Sequence, residues 1–388
     1  MKPYVTVEWN DTETDAVGWL CIYNLVDGYA GGGIRMDLSV NRETVVNLAE
    51  VMAYKRNAAK NTHKGGMKGG IKYDPKAPDA RDVLKRYIIA MRPYVQYGLN
   101  IGADMGTTDA EVKEIQDEIG MGEPLTPEMR EDPIVKQGVQ NVYEGLKQEV
   151  YPGMKVETAS TGYGTAFCAD EAWKQMGGKP GATVIIQGFG NAGVGCVDMM
   201  DQLGYKVVGL ADVNCFIYNE NGLDCKSLVA NRLPMGEIDC SKLDADTKVM
   251  ANSEWINYPC DIFIPAAIRD VLTADNTHLF KGKLISEAAN LPLTEDADKY
   301  LHEHGVHIIP DFVANLGEIR FFYVLTFCEV EPTAEALVKD IEDLCRENAG
   351  KLIAASLETG RYERDIAKDI FVPTVQDVPH CPCCLKKD

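Results

Sequence analysis

Residues 182–212 restrict the fold more than any other stretch of this chain. The apolar run Ala182-Thr183-Val184-Ile185-Ile186 leads into Gln187-Gly188-Phe189-Gly190-Asn191-Ala192-Gly193. A helical stretch to about residue 203 follows, and then a second apolar run, Lys206-Val207-Val208-Gly209-Leu210, that ends in Ala211-Asp212. GxGxxG alone is a weak signal, but a strand before it and a helix and second strand after it form the context of a dinucleotide-binding βαβ unit. Gly188 makes the tight turn, Gly190 lets a pyrophosphate reach the backbone, and Gly193 permits close packing of helix on strand. The helix N-terminus, with Phe189, Asn191 and Ala192 around it, offers amide donors and partial positive charge to phosphates. Asp212, 24 residues after Gly188, stands where a carboxylate bonds the adenosine ribose and repels a 2′-phosphate, which favours NAD over NADP. The competing reading is that Asp212 only caps a turn.

Further short, branched apolar runs, Ile262-Phe263-Ile264 and Lys283-Leu284-Ile285-Ser286, extend the alternation to about residue 320. Such runs between helices indicate a parallel sheet covered on both faces. The first 35 residues instead alternate as hairpin strands, Tyr4-Val5-Thr6-Val7 and Trp19-Leu20-Cys21-Ile22-Tyr23, punctuated by Gly31-Gly32-Gly33. Residues 42–60 and 78–97 have helical periodicity, residues 99–103 read as a short strand, and Thr108 as a helix cap. The stretch 121–133 is rich in proline and charge, which sets a domain boundary near residue 135. From about 333 to 358 the chain reads as amphipathic helix. A length of 388 residues suits two domains.

The net charge of −20 argues against nucleic acid or an anionic membrane as partner. No apolar run approaches the roughly 18 residues of a membrane span, and the opening residues lack a signal peptide's apolar core, so a cytoplasmic location is expected. Of the 12 cysteines, scattered ones such as Cys196 and Cys260 read as reduced core residues. The cluster His380-Cys381-Pro382-Cys383-Cys384 has the thiol density of a soft-metal or redox site but no second pair to complete a zinc centre; no metal is expected.

A second constellation lies upstream. Lys55 ends one helical stretch, Lys68 stands among glycines in His63-Lys64-Gly65-Gly66-Met67-Lys68-Gly69-Gly70, and Asp104 opens Asp104-Met105-Gly106-Thr107-Thr108. A lysine between glycines is open to close approach by a small ligand. Two lysines and a carboxylate make one site that can hold an anion and move protons. The bland reading is a pair of solvated surface lysines.

This order of segments, from about Gly32 to Gly317, resembles the glutamate/leucine/phenylalanine/valine dehydrogenases, the NAD(P)-dependent amino acid dehydrogenases. The resemblance implies an α/β chain with a substrate-binding and oligomerisation domain (1–135), a Rossmann doubly wound domain (136–325) and a cleft between them. It also implies C-terminal helices (326–388) that return to the first domain as part of the hinge. It assigns Lys55 to the substrate α-carboxylate, Lys68 to activation of water and Asp104 to proton transfer, with Gly32 and Gly33 lining the substrate. Thr161, in Thr158–Gly164, would contact the nicotinamide amide. Ala266 and Ala267 would line the cofactor cleft, and Asn290 would face both nicotinamide and substrate. A homo-oligomer acting on an amino acid, or on a 2-oxo acid and ammonia, is implied.

Departures from the family bear on the substrate. Glutamate enzymes carry a lysine before the GG-x-R segment, where this chain has Gly31, and a serine seven residues past the position of Asn315, where it has Phe322. Neither can bind a side-chain carboxylate. That favours an apolar, branched or aromatic substrate and the leucine/phenylalanine branch. Lys64, at a usually apolar position, cuts the other way, because a third lysine can recognise an extra acidic group. Met67 replaces a small residue, and Leu316 and Glu318 alter a cleft-lining segment. A dehydrogenase of a non-standard amine or 2-oxo acid, a glutamate dehydrogenase and a non-catalytic dinucleotide-binding paralogue stand as alternatives.

Overall fold

The computed structural model describes residues 2–26, 29–61, 64–95, 99–121 and 132–373. The chain divides into two units, Met1–Lys136 with Phe371–Asp388, and Gln137–Ile370.

The first unit is built on a five-stranded sheet of order β1-β2-β4-β3-β5. β1 (Val5–Asn10) and β2 (Val17–Ile22) form the expected antiparallel hairpin. β2 runs antiparallel to β4 (Gly65–Lys72), and β4, β3 (Ala30–Met36) and β5 (Leu99–Ala103) are parallel. Alternation sorts the side chains: Leu20, Ile34, Met67 and Ile71 face the core under α2 (Ala80–Val95) and α3 (Asp109–Glu118). Trp19, Cys21 and Tyr23 face Val45, Ala49 and Ala53 of α1 (Arg42–Ala58). Thr108 caps α3 as its sequence indicates, accepting from Glu111 N at 3.2 Å. Gly31, Gly32 and Gly33 are not punctuation; they are the interior of β3. A Cβ at Gly32 would lie 1.7 Å from Met67 O, and one at Gly33 2.1 Å from Ala103 O, so neighbouring backbones approach too closely for any other residue.

The second unit carries a seven-stranded sheet of order β11-β10-β9-β8-β12-β13-β14. Five strands are parallel: β9 (Lys206–Ala211), β8 (Thr183–Gln187), β12 (Ile262–Pro265), β13 (Leu284–Ser286) and β14 (His307–Ile309). β10 (Cys215–Tyr218) and β11 (Lys248–Ala251) add an antiparallel edge. α4 (Pro133–Gly145) spans the division between the units, and β6 (Glu149–Tyr151) and β7 (Met154–Lys155) form a separate two-stranded sheet. α5 (Val156–Gln175) is buried along most of its length between α6 (Asn191–Gln202) and α11 (Ala334–Thr359). Glycines let those helices touch: a Cβ at Gly162 would lie 2.3 Å from Ala192 O, and one at Gly164 3.0 Å from Cys345 Sγ. Further α-helices among the described residues are α7 (Cys225–Ala230), α8 (Glu295–Glu303), α9 (Asp311–Ala314), α10 (Gly317–Thr326) and α12 (Glu363–Ile370).

α11 and α12 belong to the second unit, where Arg364 of α12 bonds Glu287 and Asp298. The chain rejoins the first unit only at Phe371, and there Asn57 Nδ2 donates to Val372 O at 2.5 Å. Cys196 and Cys260 are buried free thiols, as their sequence context indicates. The Cys381–Cys384 cluster lies outside the described residues.

Candidate active site

In the first unit the sheet face beneath α1 gathers the charged side chains. Even-numbered residues of β4 point to this face: a Cβ at Gly66 would lie 2.4 Å from Ala53 N, and one at Gly70 2.4 Å from Val45 Cγ2. Lys68 is therefore on it. Arg35 projects from β3, and Asp104 from the turn after β5. That turn is fixed by Asp104 N donating to Thr107 Oγ1 (3.1 Å), by Thr107 Oγ1 donating to Ile34 O (2.8 Å), and by Gly106 at φ +81. Asp104 Oδ2 accepts from both Lys68 Nζ (3.0 Å) and Arg35 Nε (2.8 Å). Lys55, in the last turn of α1, is 6% exposed and Lys68 5%, which rejects the solvated-lysine reading.

Burial pushes the Lys68 ammonium below its usual range; Asp104 opposes this, and the Arg35 charge adds to it. Burial by itself would raise Asp104, but the charges and hydrogen bonds of Lys68 and Arg35 outweigh it and hold the carboxyl well below the usual carboxylate range. The result is an ionised carboxylate against a lysine that gives up its proton more easily than usual. Sequence reading assigned Arg35 no role. The signal available was its position two residues beyond Gly33, on one face of a strand. Lys64 is half-buried just before β4, and burial together with the Arg56 charge pushes it down to about 8.

In the second unit the glycines act as their spacing indicates. Gly188 adopts φ +112, and a Cβ there would lie 2.8 Å from Ala267 N and from Ala266 C. A Cβ at Gly193 would lie 2.0 Å from Gly188 O, so helix and turn are in direct contact. A Cβ at Gly190 would meet nothing within 4 Å, so the turn opens to space beside the N-terminus of α6, with room for a pyrophosphate. Phe189 is buried, which leaves its backbone for any ligand; its carbonyl accepts from Arg232 Nε at 2.8 Å, and Arg232 also reaches Asn191 Oδ1 at 3.4 Å.

Asp212 is largely occupied by the backbone. Its Oδ1 accepts from Asn214 N and Cys215 N, and its Oδ2 from Ile238 N, all at 2.7 Å. The turn-capping role is thus present, and the carboxylate has lone pairs left for a ribose hydroxyl. Ala266 and Ala267 follow β12 beside Gly188. Thr161 lies within α5 rather than in a strand-to-helix turn, next to the contact of Gly162 with Ala192. Asn290 follows β13, and its Oδ1 accepts from Asn315 Nδ2 at 3.1 Å. Asn315 Oδ1 is buried without a partner among the described residues, an acceptor suited to a ligand N–H. Phe322 stands on α10 against Phe321. The glycine turn, Ala266–Ala267 and Asn290 all follow the C-terminal ends of parallel strands, where open α/β sheets bind nucleotides.

Residues 153–354 match the Glutamate/Leucine/Phenylalanine/Valine dehydrogenase family, and residues 4–121 match its dimerisation domain. The chain belongs to this family. Among relatives of the Glu/Leu/Phe/Val dehydrogenase chain, the catabolic NAD-specific glutamate dehydrogenase of Bacillus subtilis is 34% identical over 310 residues, 79% of this chain and 69% of that protein. The NADP-specific glutamate dehydrogenase of Saccharolobus shibatae is 32% identical over 313 residues, covering 79% and 70%. The fold matches the hetero-hexameric glutamate dehydrogenase of Thermus thermophilus in its leucine-bound form, with a TM-score of 0.72 at 20% identity, covering 95% of this chain and 87% of that one. These relatives are named glutamate dehydrogenases, so they lend no support to the leucine/phenylalanine branch. As a family member the chain is an amino acid dehydrogenase with a Rossmann domain. No helix among the described residues is long and apolar enough to cross a membrane.

Proposed function

We propose that this chain catalyses the reversible oxidative deamination of L-glutamate or a closely similar acidic amino acid with a pyridine nucleotide. The convergence of Lys68 and Arg35 on Asp104 carries the chemistry, and the relatives' names carry the substrate class. Gly188–Gly193 would hold the nucleotide, which would supply the hydride acceptor for Cα. Lys55 binds the α-carboxylate. Lys68 Nζ, with its lowered proton affinity, takes a proton from water as that water adds to the iminium carbon. Asp104, whose Oδ2 is one hydrogen bond from Lys68, passes protons to and from the departing nitrogen through its other oxygen. Arg35 is a positioning residue that keeps Asp104 ionised and in place. By resemblance to the family and its dimerisation domain, the active form is a homo-oligomer.

NAD is the proposed coenzyme, because Asp212 brings negative charge to the end of β9, where a 2′-phosphate would meet it. Arg232, beside the glycine turn, favours NADP instead, so both coenzymes belong in the assay. A second reading, an apolar substrate, is favoured by Gly31 and Phe322 at the positions of the usual carboxylate ligands.

The test is ammonia-dependent oxidation of NADH and of NADPH with 2-oxoglutarate and with branched and aromatic 2-oxo acids. Preference for 2-oxoglutarate is the expected result. Preference for a branched acid establishes the second reading, and no ammonia-dependent turnover overturns both.

A further inference from the structure

Two cations, Lys64 and Arg56, stand outside the Lys68–Asp104 centre and meet no acid among the described residues. α1 crosses β4 where Gly66 meets Ala53. Arg56 follows Ala53 by three residues, one turn further along the same side of the helix. Lys64 precedes Gly66 by two residues, the spacing that returns to the same face of a strand. Both side chains therefore lie where the end of α1 passes over the start of β4. Each is half-buried, and Arg56 Nε is fully enclosed without a hydrogen-bond partner among the described residues. Burial pushes the guanidinium down to about 10, and burial with the Arg56 charge pushes the Lys64 ammonium down to about 8. Enclosed charges are ordinarily paired. Two like charges held together without a counter-charge are costly unless a ligand supplies it.

We propose that Lys64 and Arg56 form an anion subsite that holds the second carboxylate of a dicarboxylic substrate, an inference that rests on the reading of the chain as a dehydrogenase of glutamate-class substrates. Lys64 and Lys68 are four residues apart on one face, about 13 Å between Cα atoms. With Cα beside Lys68 and the α-carboxylate on Lys55, the remaining carbons of a five-carbon diacid and the Lys64 side chain span that separation. Gly31 pairs with Gly66 on the adjacent strand. The lysine that glutamate enzymes resembling this chain carry at Gly31 is thus replaced by a cation reaching the same part of the sheet from β4 rather than β3.

The test compares wild type with Lys64→Met, which keeps side-chain length and removes the charge. The readouts are kcat/KM for 2-oxoglutarate and for 2-oxopentanoate in the ammonia-dependent assay, with glutarate binding by calorimetry. Removing a half-buried unpaired charge should leave the thermal midpoint at or above that of wild type, so failure to fold does not confound the result. The expected outcome is a fall of at least about 30-fold in the 2-oxoglutarate to 2-oxopentanoate ratio, with matching loss of glutarate binding. An unchanged ratio, in a wild type that turns over 2-oxoglutarate, overturns the subsite and leaves the proposed function standing. If wild type turns over neither acid, the proposed function fails and glutarate decides: binding lost in Lys64→Met keeps the subsite. Binding equal in both proteins, or absent from wild type, overturns it.

Discussion

Arg35 and Lys68, from neighbouring parallel strands, donate to the same oxygen of Asp104, at 2.8 and 3.0 Å. A carboxylate that accepts two cationic donors on one oxygen is held ionised, and its second oxygen remains for a substrate. Each donor also changes the other: the Arg35 charge lowers the proton affinity of Lys68, whereas Asp104 raises it.

Arg35→Met tests that coupling. Removing the guanidinium raises the pKa of Asp104, which loses a cationic partner, and that of Lys68, which loses a like-charged neighbour. If Lys68 works as a base, the acid limb of the kcat/KM profile moves to higher pH. kcat at neutral pH should fall about tenfold or more, with little change in coenzyme affinity. An unshifted limb would mean that Arg35 acts only in packing.

In wild type, turnover in the deamination direction should fall as pH drops through the lowered pKa of Lys68, because the ammonium form cannot take a proton. Lys68→Ala should abolish the pH-dependent activity. A pH–rate profile of this variant that parallels wild type would remove Lys68 from the mechanism.

Gly190 and Gly193 should separate fold from binding. A Cβ at Gly193 would lie 2.0 Å from Gly188 O, so Gly193→Ala must displace backbone and should cost about 1–3 kcal/mol in urea unfolding. A Cβ at Gly190 meets open space, so Gly190→Ala should cost about 1 kcal/mol or less. It should still weaken coenzyme binding, read by fluorescence titration, because the methyl group occupies the space offered to the pyrophosphate.

The half-buried arginine of α12 gives a stability test. Arg364 bonds Glu287 at 2.7 Å, Asp298 at 2.5 Å and Asp311 at 3.4 Å. Arg364→Met leaves three enclosed carboxyl groups without their cation and should cost about 3–5 kcal/mol.

Glu287 in that network is pushed up to about 8, first by burial, with the neighbouring Asp311 and Asp298 charges adding to the effect and Arg364 opposing it. A carboxyl with a raised native pKa binds its proton more tightly in the folded state. Its contribution is therefore complete below the unfolded value near 4.5 and is lost as pH rises through about 8. Glu287→Gln, which cannot ionise, should remove this loss. The stability difference between wild type and variant should change steadily from pH 5 to 8 in urea titrations, and a flat difference would contradict the assignment.

Much of this was readable from one chain. The strand–glycine–helix–strand order of 182–212 works because each glycine has its own steric task, and the tasks come in a fixed order along the backbone. Lys68 and Asp104 were readable because the motif that carries them is local. Arg35 was not, since its partner lies 69 residues away and nothing in Gly-Ile-Arg says which acid the strand will meet. The glycines at 31–33 were misread as punctuation for the same reason: the carbonyls of Met67 and Ala103 that exclude a Cβ belong to other strands.

The sequence by itself determined the family, the dinucleotide turn and the residues able to move protons, since periodicity and short-range spacing encode them. Only the tertiary structure decided that Asp212 spends most of its carboxylate on backbone amides, that Arg35 shares Asp104 with Lys68, and that the Arg56 charge bears on Lys64. Those depend on which strands and helices come together. Burial then changes the proton affinities of the groups it encloses, and no pattern along the chain states which groups those will be.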